Sequence, residues 1–305
     1  MLRNAPRTRA DLIALARADY RADLVSIDAR AIHRHSWPID ALSPMTITLD
    51  PAFAEATADA LAFLVLMTSV NYQFWDISDS GEFRRYHFHG ESGARALWRA
   101  FSDAWGQGCL TRARFTTAAL TQGVSQLFGD IPSPGSRQEI LNELLENSER
   151  LDSTCQALAQ RIAARREVLI EDAALLADRF PLAFGDPYLK KGQLALSMFA
   201  AHLRGPALAV CTSDLTAFAD YQVPRVLRAL GILEYTQPLA SAVDRGVLIP
   251  MLSSVERAIR AATILACEDI AKATGATPAD VDNLLWQSQG AAGQALFHRT
   301  RTTWY

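Results

Sequence analysis

Lysine is almost missing from this chain. Of its 305 residues only Lys190, Lys191 and Lys272 are lysines, and arginine supplies the rest of the positive charge. The skew reads as genome composition rather than function. A surplus of positive charge is missing too, since the formal net charge is −3. That argues against a general polyanion binder and leaves room only for a local basic pocket. Cys109, Cys155, Cys211 and Cys267 lie far apart, with no C-x-x-C pair, and the histidines complete no zinc pattern. No metal is expected, and free thiols in a reducing cytoplasm are the simple reading. The stretch from Met1 to Arg7 has no apolar core, so no signal peptide is indicated. The longest apolar run, Ala60 to Met67, falls far short of the roughly 20 residues a membrane span needs. A soluble protein with no membrane partner is expected. Repeats and low-complexity tracts are absent, and the breaks at Gly129 to Gly135 and Phe184 to Pro187 do not read as interdomain linkers. Strand signals are scarce: Thr46 to Leu49 alternates, and Phe83 to Phe88 alternates weakly before Gly90.

What is present is helical periodicity and enough apolar residues for a sizeable core, half of the chain. Apolar positions recur at helical spacing over Asp11 to Tyr20, Ala54 to Val70, Ala94 to Trp105, Ser136 to Arg166 and Val255 to Ala273. In the third of these, Leu97, Trp98 and Phe101 fall on one side. Gly231 closes a short helix over Pro224 to Leu230, and Gly275 ends the longer one before it. Thr277-Pro278-Ala279-Asp280 supplies an N-cap, a first-turn proline and an acid three residues on. The expected fold is mainly α, one helical domain over residues 1–305, with a small β hairpin or sheet in the N-terminal third.

The most informative stretch is Phe218-Ala219-Asp220-Tyr221-Gln222-Val223-Pro224. Pro224 can open a helix, and the residue before a proline avoids the α region, so Val223 is expected to be extended. Phe218, Asp220 and Tyr221 then sit on a bend feeding a helix start. A ring beside a carboxylate can cradle a flat base, or both can be ordinary core. Asn71, at the end of a buried helix, must find partners, whether structural or in a ligand. Lys190 and Lys191 read as a phosphate contact or a solvated pair. Glu256 and Arg260 face each other one helical turn apart, as an internal strut or to orient an acid. Asp282 lies in the second turn of a helix starting at Pro278, with Leu285 and Trp286 on its side, either at the surface or in a pocket. The segment Phe297 to Tyr305 is basic and aromatic and is expected to be docked.

These segments form ordered blocks. Asn71-Tyr72-Gln73-Phe74-Trp75 matches a pattern N-F-x-F-W, and Lys190-Lys191-Gly192-Gln193 matches K-R-A-Q. Phe218 to Pro224 matches F-A-D-Y-x-x-P and continues through Leu230-Gly231 to Tyr235. Glu256 with Ile259-Arg260 fits E-x-x-I-R, Asp282 with Leu285-Trp286 fits D-x-x-L-W, and Phe297-His298-Arg299 with Arg301 and Tyr305 fits F-H-R-x-R ending in tyrosine. Together, from about residue 55 onward, they resemble the queuosine salvage family, the queuosine 5′-phosphate N-glycosylase/hydrolases. The chain departs from that pattern at Lys191 and Gly192, at Gly93-Ala94-Arg95 where the family reads G-Y-W, and before residue 50, where only His33 and His35 are candidates for the family's histidine.

The resemblance implies a mostly helical fold similar to that of helical DNA glycosylases. It implies release of queuine from queuosine 5′-monophosphate, leaving ribose 5-phosphate, with no metal or organic cofactor. The alternative is a non-catalytic queuine or 7-deazaguanine binding protein. Direct nucleic-acid binding is not expected. On this reading Asp282, kept ionised by the helix start, faces the anomeric carbon. Asp220 accepts from the guanine-like edge, and the two roles can be exchanged. Phe218 stacks on the base, Tyr221 and Trp286 wall the pocket, and Asn71 and Tyr305 join the substrate site. Lys190, His298, Arg299 and Arg301 are the candidate phosphate or ribose contacts.

Overall fold

The computed structural model describes residues 5–39, 57–105, 112–203 and 209–305. The expected strand at Thr46 to Leu49, and Cys109, lie outside the described residues. Among those that are described, helices dominate. They run α1 (Arg9–Asp19), α2 (Ala29–Arg34), α3 (Thr57–Ser69), α4 (Ala94–Trp105), α5 (Arg112–Thr121), α6 (Val124–Phe128), α7 (Pro134–Leu145) and α8 (Ser148–Arg165). The series continues with α9 (Ile170–Arg179), α10 (Pro181–Phe184), α11 (Lys190–Leu203), α12 (Gln222–Ala229), α13 (Gln237–Asp244), α14 (Ser254–Thr274) and α15 (Pro278–Gln287). None of the described helices is long and apolar enough to cross a membrane.

Among the described residues, strands occur only in two-stranded pieces. β1 (Val25–Ile27) pairs with β6 (Leu233–Tyr235), β2 (Trp75–Ile77) with β3 (Phe83–Arg85), and β4 (His87–Phe88) with β5 (Glu91–Ser92), all antiparallel. The two short hairpins fall where alternation before Gly90 placed one. The β1–β6 pair was not legible in the sequence, because it joins very short segments from opposite ends of the chain.

Two helices form the middle of the larger core. α3 is buried from Ala60 through Ser69, and α11 from Lys190 through Leu196, so both are enclosed by protein on nearly all sides and pack against each other. A second core gathers around α14, with Val226 and Leu227 of α12 and Val281 and Leu285 of α15. α14 serves both cores: Ala261 and Ile264 face the first, and Ile259, Ala262 and Ala266 the second. Its ends follow local chemistry. The Ser253 hydroxyl accepts from the Glu256 N–H at 3.2 Å, and Gly275 caps the C-terminus at φ +75°, where other residues are strained. A third cluster, Trp75, Tyr221, Trp304 and Tyr305, fastens the C-terminal segment.

Two expectations need correction. The run from Ser136 to Arg166 is two helices, α7 and α8, parted at Glu146 and Asn147, where the Asn147 amide donates to the Glu143 carbonyl at 3.0 Å. Val223 is helical, because α12 begins at Gln222 rather than at the proline. One Asp220 oxygen accepts from the N–H groups of Gln222 at 2.7 Å and Val223 at 3.0 Å, and these caps outweigh the pre-proline bias. Pro224 still sits in the first turn, where no intrahelical donor is required. Trp98, on the side expected, packs half-buried against the core that Leu97 and Phe101 enter, and it stacks on Trp286 with ring centroids 5.5 Å apart.

Candidate active site

A cavity of about 360 Å³ opens where the three clusters meet. Eight of the residues expected at a site line it: Asn71, Lys190, Phe218, Asp220, Tyr221, Asp282, Trp286 and Tyr305. They come from four separate parts of the chain: the α3–β2 connection, the first turn of α11, the bend before α12, and α15 with the C-terminal segment.

The bend is held from several directions. Thr216 N–H donates to Gln193 at 2.9 Å, Phe218 N–H donates to Asp282 Oδ1 at 2.9 Å, and the Ala219 carbonyl accepts from Arg260 Nε at 3.0 Å. Arg260 also grips both oxygens of Asp186, at 2.8 and 2.7 Å, with Glu256 3.6 Å away, all fully buried. The Glu256–Arg260 strut therefore exists, and it orients the main chain beside Asp220 and the buried Asp186 rather than an acid of the cavity. Asp186 in turn accepts from the Lys190 N–H at 2.9 Å, just after Leu189 in the left-handed region at φ +55°. Strain of this kind persists only where surrounding contacts enforce it. Tyr221 leans on Phe297, with centroids 4.7 Å apart.

Asp220 is 8% exposed, Asp282 2% and Lys190 5%. Burial raises the pKa of the Asp220 carboxyl, opposed by Lys190 and by its two backbone N–H bonds. Asp282 is pushed up to about 8 by burial and then by the charge of Asp220, with only one N–H and Lys190 acting against the rise. Lys190 is pulled down by burial and back up by Asp220, Asp282 and Asp186. It makes no ion pair within 4 Å among the described residues, so its ammonium is left to the cavity. The expectation that the helix start keeps Asp282 ionised fails. Asp282 is the fifth residue of α15, beyond the turn where the helix dipole acts, and desolvation wins.

The C-terminal basic residues do not reach the cavity. His298 is buried behind Tyr305, its Nε2 3.5 Å from the tyrosine hydroxyl, and burial pulls its pKa down to about 3, so it is neutral. The Arg299 guanidinium lies over Phe83 at 4.5 Å, and Arg301 pairs with Asp76 at 3.0 Å. These arginines fasten the segment to the β2–β3 hairpin. Lys191 is not solvated: its Nζ donates to the Ser69 carbonyl at 2.6 Å, and burial pulls its pKa well down.

In place of the C-terminal cations the structure brings Arg85 and Arg95 to the cavity, with Trp98, Glu91 and Gln222. Neither arginine forms an ion pair among the described residues. Arg85 lies against Gly93, whose carbonyl accepts the first bond of α4, and Arg95 sits in that helix's first turn 5.8 Å over Trp286. The hairpin alternation and the amphipathic pattern of α4 located these elements. Neither showed that the hairpin end and helix start face the acids.

Two desolvated carboxyls, a free ammonium and aromatic walls thus share one cavity of a helical protein. The chain belongs to the queuosine salvage protein family, which matches residues 50–305. It is similar to a queuosine 5′-phosphate N-glycosylase/hydrolase of Sphaerobacter thermophilus, 32% identical over 281 residues that cover 81% of this chain and 82% of the relative. Proteins of the same name from Mus musculus (25% identical, covering 84% and 85%) and Dictyostelium discoideum (24% identical, covering 84% and 80%) are also similar.

Proposed function

We propose that this chain hydrolyses the N-glycosidic bond of queuosine 5′-monophosphate, releasing queuine for tRNA modification and leaving ribose 5-phosphate. The observation that carries the reading is the acid pair in one aromatic-walled cavity, with its two members held in different protonation environments. The reaction belongs in the cytoplasm, and its substrate is the mononucleotide rather than a polynucleotide, in keeping with the net charge of −3.

Queuine is a 7-deazaguanine, with carbon in place of N7, so the leaving base cannot be activated by protonation there. Two needs remain: negative charge near the anomeric carbon as it becomes cationic, and a proton for the departing base. Asp220, with two N–H donors and Lys190 in its favour, holds the negative charge. Asp282, with Asp220's charge against it, holds the proton. This exchanges the roles expected from helix position alone. Water adds to the anomeric carbon as the C–N bond breaks, and Asp220 takes the proton the water loses. Asp282 gives its proton to a ring nitrogen of the base, and transfer of a proton from Asp220 to Asp282 restores the pair. Proton transfer of this kind contributes roughly 10²–10⁴-fold. Phe218 stacks on the base, with Tyr221, Trp286, Asn71 and Tyr305 around it. The phosphate lies toward Arg85, Arg95 and the first N–H groups of α4, an arrangement suited to a dianion.

Incubation with queuosine 5′-monophosphate and mass spectrometry of the products tests the proposal. Free queuine and ribose 5-phosphate, formed at a rate insensitive to moderate salt, are expected. Saturable binding with no release of base over many hours would leave a binding protein and overturn the hydrolase.

A further inference from the structure

The connection from α3 to β2, Ser69 to Phe74, lines the cavity through Asn71 and Phe74. Its main chain is held in an unusual way. Arg137 of α7 is completely buried, and it donates to the Val70 and Gln73 carbonyls, each at 3.3 Å, and to the carbonyls of Pro132 and Tyr72. Its guanidinium also lies 4.0 Å over the Tyr72 ring. Among the described residues no carboxylate comes within ion-pair distance of it. Lys191 repeats the device, bonding the Ser69 carbonyl and lying 5.0 Å over the same ring. Gln73 adopts φ +35°, a conformation strained for a side chain of its kind. From there its N–H donates to the Tyr305 carbonyl at 2.9 Å, and its side-chain oxygen accepts from the Thr302 N–H at 3.1 Å.

We infer that Arg137 is a positioning residue for the substrate site: by gathering the carbonyls of Val70, Tyr72 and Gln73 it sets the strap that presents Asn71 and Phe74 and anchors Tyr305. The argument is one of mutual dependence. A buried guanidinium without a counter-ion is tolerated only if polar groups surround it, and carbonyl dipoles converge only if a cation lies among them. Burial pulls the pKa of Arg137 down to about 10, which leaves it charged at neutral pH. Lysine keeps the charge but offers one centre in place of a planar fork, so it cannot satisfy all the carbonyls at once. The strap must then relax, and Asn71 and Phe74 shift while the acid pair, held by the bend and α15, stays in place.

This inference rests on the cavity being the site of the proposed hydrolysis. The test is a double-mutant cycle of Arg137→Lys with Asn71→Ala, read as KM and kcat on queuosine 5′-monophosphate. Each single variant should raise KM roughly tenfold with kcat changed less than about threefold, because a contact made equally in ground and transition states is lost. The double variant should be no worse than about twofold beyond the poorer single one. Multiplying effects, or an Arg137→Lys protein that loses only its melting temperature and active fraction at unchanged KM, would reduce Arg137 to fold support and overturn the inference. Should Arg137→Lys fail to fold, Lys191→Met in the same cycle must show the same pattern for the inference to stand. Calorimetric binding of queuine to these proteins reports on the strap without turnover. A wild-type protein that binds queuine but releases none from the nucleotide refutes the hydrolase reading alone.

Discussion

The proposed mechanism requires Asp282 to hold its proton at neutral pH, and replacing it with asparagine turns that requirement into a measurement. Its pKa rises from the ordinary 3.8 to about 8. Four units correspond to on the order of 5 kcal/mol between protonated and charged forms. The sign follows from proton linkage. Below about pH 4 the carboxyl is protonated in folded and unfolded chains alike, and the folded state bears no penalty. Between about 4 and 8 the unfolded chain releases the proton and the folded chain keeps it, so stability falls as pH rises. Above about 8 the loss is complete. Asparagine keeps the shape and carries no charge. Relaxation around Lys190 and Asp220 returns part of the penalty, which leaves about 1–3 kcal/mol in favour of Asp282→Asn at pH 8. That is a rise in melting temperature of roughly 2–6 °C. Melting curves of both proteins between pH 5 and 8.5, recorded without ligand, should diverge toward the alkaline end. Parallel curves would mean that Asp282 is ionised throughout, and the proton-donor assignment would fall with them.

Other outcomes follow from the same geometry. Wild-type kcat/KM should decline about tenfold per pH unit above about 8, as the Asp282 proton is lost, and this limb should vanish in Asp282→Asn; a flat profile to pH 9.5 would count against the acid. Asp220→Asn should lower kcat by at least roughly 10³-fold while queuine still binds, because the group facing developing positive charge is neutralised. Arg85→Ala and Arg95→Ala should each raise KM for the nucleotide roughly tenfold and leave queuosine nucleoside unchanged, which competition by inorganic phosphate can check independently. Thr277→Ala removes the cap whose hydroxyl accepts from the Asp280 N–H at 3.1 Å, and thermal unfolding should show a loss of about 1 kcal/mol.

How much of this could be read from the chain depends on how local each interaction is. The C-terminal cap of α14 and the N-terminal cap of α15 were legible because the residues that form them lie next to the helix ends. The bend at Phe218 to Tyr221 was legible for the same reason. Its exact helix start was not, because the hydrogen bonds that Asp220 accepts from the first turn compete with the proline three residues after the N-cap Tyr221, and only geometry decides between them. That Lys190 and Asp282 share a cavity with Asp220 emerged from the order of blocks rather than from any spacing. His298, Arg299 and Arg301 show the limit of composition. A basic, aromatic segment announces that it docks and says nothing about which face it turns inward. Arg85 and Arg95 show the converse, since exposed charges on a hairpin and in a helix's first turn look the same whether they face solvent or a ligand. Burial of Arg137 and Lys191 without carboxylates is invisible in sequence, because their partners are main-chain carbonyls.

The pinning of Tyr305 and Thr302 to Gln73 makes the chamber depend on a contact between segments 229 residues apart. One wall of the chamber comes from a segment outside the described helices, so forming those helices alone leaves the chamber open on that side. Loss of the segment Thr302 to Tyr305 would return the folded molecule to that open state.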